Sequence, residues 1–168
     1  MRISAAAVLC LAVLLSGCGY KLGEIRPTPM RSIRTLAVPT FKNITYEPRV
    51  EVLLADTLVK ALQTDGTYQI VSEVKADAIL SCTLTKIQRR PIRAVQNNVL
   101  ATSEFALDIT AAYRVEDRLT GAILMEGSAI GKTTFFSGDD LQTIERQAIS
   151  NAAADLANEI TVAVTEGW

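Results

Sequence analysis

A strict alternation of apolar and polar residues near the middle of the chain constrains its fold more than any other feature. Between positions 104 and 116, apolar residues occupy every second position and polar or charged residues occupy most of the others. Successive side chains of a strand point to opposite faces, so this pattern predicts a strand with one buried face and one face in contact with water. The apolar set is Phe105, Leu107, Ile109, Ala111, Tyr113 and Val115, and the polar set is Glu104, Asp108, Thr110, Arg114 and Glu116.

The segments on either side predict that this strand lies inside a sheet. The sequence DRLTG at 117–121 is typical of a turn, so residues 122–130 are expected to return as a hairpin partner. Upstream, residues 76–90 also alternate and predict a long strand, followed by a connection at 91–99. Shorter strands are expected at 32–39 and 67–72, with a break at TFKNITYEP between the first of them and the next helix.

Two segments have the spacing of amphipathic helices. The first is expected to take Pro48 into its first turn and to end at Gly66, with an apolar stripe of Val50, Leu54, Leu58, Ala61 and Leu62. The second follows Asp139 and Asp140, either of which can cap its first amides, and its stripe is Leu141, Ile144, Ala148, Ala152, Leu156, Ile160 and Ala163. Both helices can cover one sheet face, so the predicted fold class is α+β, a two-layer domain with a mixed sheet of about five strands and two helices packed on one face, in the order β-α-β-β-β-β-α.

The first residues of the chain predict export. Arg2 precedes an apolar run from Ile3 to Leu15, which as a helix would span only about 20 Å of the ~30 Å hydrocarbon core of a bilayer. A basic start, a short apolar core and small residues at its end are typical of a secretory signal peptide. The alternative, a buried N-terminal helix, is disfavoured because the run has no polar face.

The signal ends in Leu15-Ser16-Gly17-Cys18, which resembles the lipobox of bacterial lipoproteins. The resemblance implies that the Cys18 thiol receives a diacylglycerol, that the chain is cut before it, and that the new amine receives an N-acyl chain such as palmitate. Gly19, in place of Asp, implies sorting to the outer membrane. The expected organisation is a signal peptide at 1–17, an extended acylated tether at 18–31 and a single α+β domain at 32–168, held on the periplasmic face of the outer membrane.

The composition argues against catalysis. The 168-residue chain contains no histidine, so the commonest general base and metal ligand are missing. Its formal net charge of −1 offers no basic surface for nucleic acid. Cys10 leaves with the signal and Cys18 is acylated, which leaves Cys82 as a single thiol, expected as a small buried residue on a strand. We therefore expect no enzyme activity, no metal site and no cofactor beyond the covalent lipid on Cys18.

Two kinds of charged cluster remain as candidate sites. The acidic pairs Asp139-Asp140 and Glu116-Asp117 are interpreted as a helix cap and a turn rather than as metal ligands. The basic cluster Lys86, Arg89, Arg90 and Arg93 lies at the far end of the predicted 76–90 strand. One interpretation is that these charges prevent unwanted pairing at a strand edge. The other is a contact for a sugar phosphate or anionic lipid, since the planar guanidinium group binds phosphate through two hydrogen bonds.

Four segments together resemble the lipopolysaccharide-assembly lipoprotein (LptE) family: CGYKLG, IRTLAVPTFKNIT, LLADTLVKAL and ADAILSCTLTKI. The likeness runs from Cys18 to about Gly127 and implies a two-helix, one-sheet domain anchored in the inner leaflet of the outer membrane. Family members act as plug and assembly partner of a large outer-membrane β-barrel protein (LptD-like) and support lipopolysaccharide delivery to the outer leaflet. Lipopolysaccharide itself is then a candidate ligand. Only Cys18 carries over as a site residue, and the long, alanine-rich C-terminal helix departs from the family.

The same segments also resemble outer-membrane lipoproteins that activate peptidoglycan synthases or build curli-type secretion pores. An activator needs a long tether to cross the cell-wall mesh, whereas the roughly a dozen residues between Cys18 and the predicted fold reach at most ~40 Å. A pore subunit needs long strands that face lipid, and only an ordinary hairpin is predicted here. The short tether favours a partner that lies in the membrane.

Overall fold

The computed structural model describes residues 26–95, 98–138 and 140–167 of the chain. Within these ranges it contains six strands and two α-helices, with 3-10 turns at Thr28–Met30 and Glu73–Lys75. The strands are β1 (Thr35–Ala37), β2 (Lys42–Asn43), β3 (Gln69–Ile70), β4 (Ala78–Val95), β5 (Asn98–Asp117) and β6 (Ile123–Phe136). The helices are α1 (Val50–Asp65) and α2 (Leu141–Glu166).

All six strands form one mixed sheet. Its order is β3-β1-β4-β5-β6, and β2 pairs with β4 farther along the same edge as β1. The short strands run parallel to their neighbours, whereas β4, β5 and β6 are antiparallel. In register, Leu80 lies opposite Val115 and Leu84 opposite Ala111. The apolar positions of neighbouring strands therefore share one face, as the alternation in β5 predicts.

Both helices cover that apolar face, which confirms the predicted α+β fold with two helices on one side of the sheet. The core between the layers includes Leu54, Leu58, Leu80, Leu84, Ile109, Val115, Leu156 and Ile160, each at most 1% exposed. Contact between α2 and β6 is closest at Gly131, where an added Cβ would lie 2.6 Å from the amide nitrogen of Leu156. The small side chains of Ala148 and Ala152 on the buried stripe of α2 permit this approach.

Three strand boundaries differ from the sequence-based expectation. The break expected at TFKNITYEP contains the two-residue strand β2, so the element order is β-β-α-β-β-β-β-α. The connection expected at 91–99 is wrong, because β4 continues to Val95 and β5 begins at Asn98. Pro91 is tolerated inside β4 because, in the described part of the chain, no strand lies beside β4 past Leu84 on the side away from β5. The hairpin partner also runs longer than predicted, since β6 extends to Phe136.

The helix ends agree largely with prediction. Gly66 ends α1 in the left-handed conformation, with φ of 78°, and Asp140 caps α2 by accepting a hydrogen bond from the Thr143 amide. Asp139 lies outside the described residues. At the start of α1, Arg49 takes a left-handed φ of 67° and the helix begins at Val50, so Pro48 precedes the helix rather than sitting in its first turn.

The residues before β1 pack against the domain, which was not expected. The Arg26 guanidinium donates hydrogen bonds to the carbonyls of Ile33 (2.6 Å) and Thr67 (2.8 Å), and it lies 5.1 Å from the centre of the Tyr68 ring. Met30 is fully buried. The expectation of an extended, unpacked tether is therefore wrong for residues 26–31, while Cys18 and the rest of the expected tether lie outside the described residues.

Candidate functional site

The β4–β5 hairpin carries the basic cluster onto a free edge of the sheet. Strand β4 has 18 residues, which at ~3.3 Å per residue makes it roughly 55 Å long. The parallel strands β1 and β2 pair only with its first part, between Ala78 and Leu84. Among the residues that the structure describes, the segment from Lys86 to Arg93 therefore forms an edge, and this is where charged side chains and a proline oppose pairing with another strand.

The four cations of the cluster do not all face the same way. Lys86 pairs with Thr110, and Arg93 pairs with Glu104, so both lie on the sheet face opposite the helices. Arg90 joins them there, because its side chain reaches Asp108. Arg89 lies on the helix side, where it forms an ion pair with Glu145 of α2. The structure thus brings three of the predicted residues together and separates the fourth.

All three arginines of the basic cluster, on either face of the sheet, have a carboxylate beside them. Arg90 is 2.7 Å from Asp108, Arg93 is 3.5 Å from Glu104, and Arg89 contacts Glu145. The side chains of Arg90 and Arg93 remain 49% and 70% exposed, so their charges stay accessible to solvent. A phosphate that binds here must compete with these carboxylates, and this competition lowers the net attraction for an anion.

The open sheet face forms a shallow concavity with a volume of about 650 Å³ near the starts of β4 and β6. Arg114 lies in it, 3.2 Å from Glu126 and 3.6 Å from Glu116. Its lining also includes the hydroxyl side chains of Ser81 and Thr83. Charges of both signs on a broad, shallow surface suit contact with another polar surface better than enclosure of a small substrate.

Cys82 has the buried position on a strand that the sequence predicts. It is 4% exposed on β4, and burial raises the pKa of its thiol to about 12. Because the thiolate is the reactive form of cysteine, this residue is inert at neutral pH. Among the described residues, no group of three or more histidine, cysteine or acidic side chains is placed to hold a metal ion.

The acidic residues serve local structure. Asp140 accepts the Thr143 amide at 3.1 Å, and Asp117 accepts the amides of Leu119 (3.0 Å) and Thr120 (2.8 Å). These hydrogen bonds hold the pKa of both carboxyl groups below the usual range. The cap and turn interpretations of Asp140 and Asp117 are therefore confirmed.

Sequence reasoning missed Asp77, which ties three parts of the sheet end together. Its carboxylate accepts the amides of Arg34 (3.0 Å) and Thr35 (2.9 Å), and these bonds lower its pKa. Its carbonyl accepts the amide of Arg118 at 2.9 Å. An aspartate at the second position of a predicted strand was the only available signal, and that position does not identify partners 42 and 43 residues away.

The fold and this surface define the class of protein: a two-layer α+β domain whose open, ion-paired sheet face suits contact with a partner. None of the described helices is long and apolar enough to cross a membrane. The chain belongs to the LptE lipopolysaccharide-assembly family, whose model matches residues 33–164. The family resemblance noted in the sequence is thereby confirmed. The match also extends past Gly127 through most of α2, the helix expected to depart from the family.

Several solved structures have a similar fold. A protein from Xanthomonas campestris has a TM-score of 0.56 at 13% identity, with 82% of this chain and 87% of that chain covered. A minor lipoprotein from Acinetobacter baumannii has a TM-score of 0.53 at 18% identity, with coverage of 79% and 92%. A PelC dodecamer from Paraburkholderia phytofirmans has a TM-score of 0.52 at 13% identity, with coverage of 79% and 88%. At these identities the likeness shows the fold alone. No curated protein matches the chain by sequence.

Proposed function

We propose that this chain is a lipid-anchored protein on the periplasmic face of the outer membrane, where it is plug and assembly partner of a large β-barrel protein. In that role it supports delivery of lipopolysaccharide to the outer leaflet. The observation that carries the proposal is the family match over residues 33–164, which includes every strand and nearly all of both helices. The role requires contact surfaces and no catalytic group.

The anchor of this proposal is Cys18, acylated with a diacylglycerol and an N-acyl chain. Only seven residues, 19–25, separate it from Arg26, the first residue seen bound to the domain. Such a segment reaches at most ~25 Å when fully extended. This reach supports a partner located in the membrane itself and disfavours an activator that must cross the cell-wall mesh.

The open sheet face suits the proposed plug role. The lumen of an outer-membrane barrel is polar and water-filled, so a domain inside it needs a polar outer surface. Arg90, Asp108, Arg114 and Glu126 supply charges of both signs on that face. A surface of paired charges can exchange partners with a polar wall while it leaves few charges desolvated and unpaired.

We also propose that Lys86, Arg90 and Arg93 contact phosphate groups of lipopolysaccharide. These three side chains share the open face, whereas Arg89 is held on the helix side by Glu145. Arg89, the fourth cation of the cluster, is therefore expected to contact the lipopolysaccharide phosphates least. The carboxylates of Asp108 and Glu104 make such binding reversible, which suits a protein that passes its ligand on.

Chemical crosslinking in intact outer membranes followed by purification of the chain tests the proposal. We expect a large β-barrel protein to be recovered with the wild-type chain, and to be lost with Cys18→Ser, which stays in the periplasm. Mass spectrometry of the wild-type chain should show acylated Cys18 as the first residue. Recovery of a peptidoglycan synthase in place of a barrel would contradict the proposed function and favour the activator alternative.

A further inference from the structure

The N-terminal part of the described chain is fixed at one end of the sheet. Arg26 binds the carbonyls of Ile33 and Thr67, and the Tyr68 ring beside it donates its hydroxyl to the carbonyl of Val164 in α2. Gly167 lies so close to Pro27 that an added Cβ would be 3.1 Å from the proline ring. The chain thus enters the domain beside the starts of β1 and β4 and the last turns of both helices, which we call the anchor end.

Two tight turns project from the anchor end. One is the 3-10 turn Glu73–Lys75 before β4, and the other is the turn at 118–122 between β5 and β6. Arg118 joins them, since its amide donates to the carbonyl of Asp77 (2.9 Å) and its side chain donates to that of Ala76 (2.6 Å). Asp77 in turn binds the amide of Arg34, next to the residue that holds Arg26.

These turns carry aliphatic side chains into solvent. Val74 and Leu119 are both 79% exposed, more than any other aliphatic side chain whose surroundings the structure describes, and Ile123 nearby is 52% exposed. Tight turns are normally built from small and polar residues. A single exposed aliphatic residue needs no explanation, but here two occur on adjoining turns and a third begins β6 at the same end of the domain.

We infer that the anchor end rests on the bilayer and that Val74, Leu119 and Ile123 enter its headgroup region. This inference rests on the proposed acylation of Cys18. The seven residues between Cys18 and Arg26 keep the anchor end within ~25 Å of the lipid surface. Lys75 beside Val74 suits that region, since a long cationic side chain buries its stem while its charge reaches lipid phosphates. The Arg118 side chain is instead bound to the carbonyl of Ala76. Three exposed aliphatic residues add to an existing anchor rather than replace it.

The contact fixes which way the domain faces. Helix α2 has 26 residues, so Leu141 at its start lies roughly 38 Å from the anchor end. The β4–β5 hairpin with its cations extends in the same direction, because β4 starts at the anchor end and runs away from it. The hairpin therefore lies at the end of the domain opposite the bilayer contact.

Depth-dependent quenching tests the contact. The acylated full-length protein is reconstituted in phosphatidylcholine–phosphatidylglycerol vesicles with brominated acyl chains, and carries a thiol-linked fluorophore at Leu119→Cys or Val74→Cys. Buried Cys82 and acylated Cys18 leave the new thiol as the labelling site. Leu141→Cys is the matched control, since it is also an exposed leucine, 41% exposed, at the other end of α2. We expect quenching of roughly twofold at positions 74 and 119, as for groups that enter the headgroup boundary, and none at 141.

The outcomes separate this inference from the proposed function. Absence of quenching at 119, or equal quenching at 119 and 141, in an acylated protein that still co-purifies with a barrel would overturn the bilayer contact alone. A photocrosslink from position 119 to the barrel protein in intact cells would overturn it too, because the turns would then face protein. A mature protein without acyl chains on Cys18 would overturn both the inference and the proposed function.

Discussion

At the scale of single residues, Asp77 connects the start of β4 to β1 and to the turn after β5. One exposed carboxylate accepts two backbone amides of β1 and its neighbour, while the same residue's backbone meets Thr35 and Arg118. Because β1 is only three residues long, few other interactions hold its start in place. The hydrogen bonds of Asp77, which we call the polar clamp, therefore hold the start of β1 where a longer strand would be held by additional backbone hydrogen bonds to its neighbours.

We predict that Asp77→Ala destabilises the domain by about 1 kcal/mol at pH 7, at the low end for hydrogen bonds to a charged group because solvent reaches the site. Since the folded-state pKa of Asp77 is lowered, its contribution is complete above the unfolded-state pKa and is lost as pH falls through the folded-state pKa. Urea unfolding should show the difference between wild type and variant at pH 7 and a smaller one at pH 3.

The exposed Asp56 on α1 supplies the control, because Asp56→Ala removes an acidic side chain without removing a clamp. Its effect on the free energy of unfolding should stay small at both pH values. An Asp77→Ala defect that is the same size at pH 3 and pH 7 would contradict the role of the ionised carboxylate.

At the scale of secondary-structure elements, the contact between β6 and α2 depends on Gly131. A methyl group there would press against the carbonyl of Ala152 and the backbone and Cβ of Leu156, which are parts of a helix and cannot rotate away. We predict that Gly131→Ala costs about 1–3 kcal/mol of folding free energy, the range for overpacking a filled core. Thermal or urea unfolding measures the loss.

Gly138→Ala is the matched control for this prediction. An added Cβ at Gly138 would lie 2.9 Å from the Cδ1 atom of Ile144, the flexible end of a side chain that can move. We expect a change within about 0.5 kcal/mol. If the two variants lose the same free energy of unfolding, the close packing of Gly131 against α2 does not explain the cost of Gly131→Ala.

The elements whose patterns are local could be predicted, and those that depend on neighbours could not. The alternation in β5 and most of the α2 stripe correctly identified the buried face, but the assignment of Leu141 to that stripe is wrong, since this residue is 41% exposed. Gly66 and Asp140 marked helix ends as expected. Pro91 was interpreted as a strand break, yet it is compatible with β4 because that part of the strand is an edge. This part of β4 is an edge because β1 and β2 pair only with the residues between Ala78 and Leu84. The sequence near Pro91 does not show where those two strands pair.

The candidate site shows the same division. Charge alone located the cations of β4, and the alternation of a strand already separates Arg89 from Lys86 and Arg90. Which of the two faces each of them occupies depends on the register shift between Leu84 and Lys86. Their carboxylate partners, Asp108 and Glu145, come from two other elements. Likewise, the sequence does not predict that Arg26 and Met30 pack against the domain, because neither residue belongs to a periodic apolar segment.

At the scale of the whole molecule, the domain has two ends with different surfaces. The anchor end holds the incoming chain, both helix C-termini and the exposed turns, and the opposite end holds the hairpin with its cations. If Cys18 is acylated as proposed, the lipid and the hairpin cations lie at opposite ends of the domain. The remaining question at this scale is whether the hairpin cations bind lipopolysaccharide or only guard a free strand edge.

Charge variants in the assembled complex answer this question. If Lys86, Arg90 and Arg93 contact lipopolysaccharide phosphates, the double variant Arg90→Ala/Arg93→Ala should lower photocrosslinking of lipopolysaccharide to the hairpin roughly tenfold, since each of these exposed contacts contributes about 0.5–1 kcal/mol. Asp108→Asn should raise it, because that change removes the carboxylate 2.7 Å from Arg90. Arg89→Ala, on the helix side, should change crosslinking least.

The edge-guarding interpretation predicts a different pattern for the same variants. If the charges only prevent pairing, losing Arg90 and Arg93 should leave lipopolysaccharide crosslinking unchanged while the purified protein self-associates, because an uncharged free edge recruits other strands. Asp108→Asn would then have no effect on crosslinking. The sign of the Asp108→Asn effect is decisive, because a neutral residue at 108 strengthens an anion site on the open face but does nothing for a strand edge whose protection comes from positive charge and Pro91.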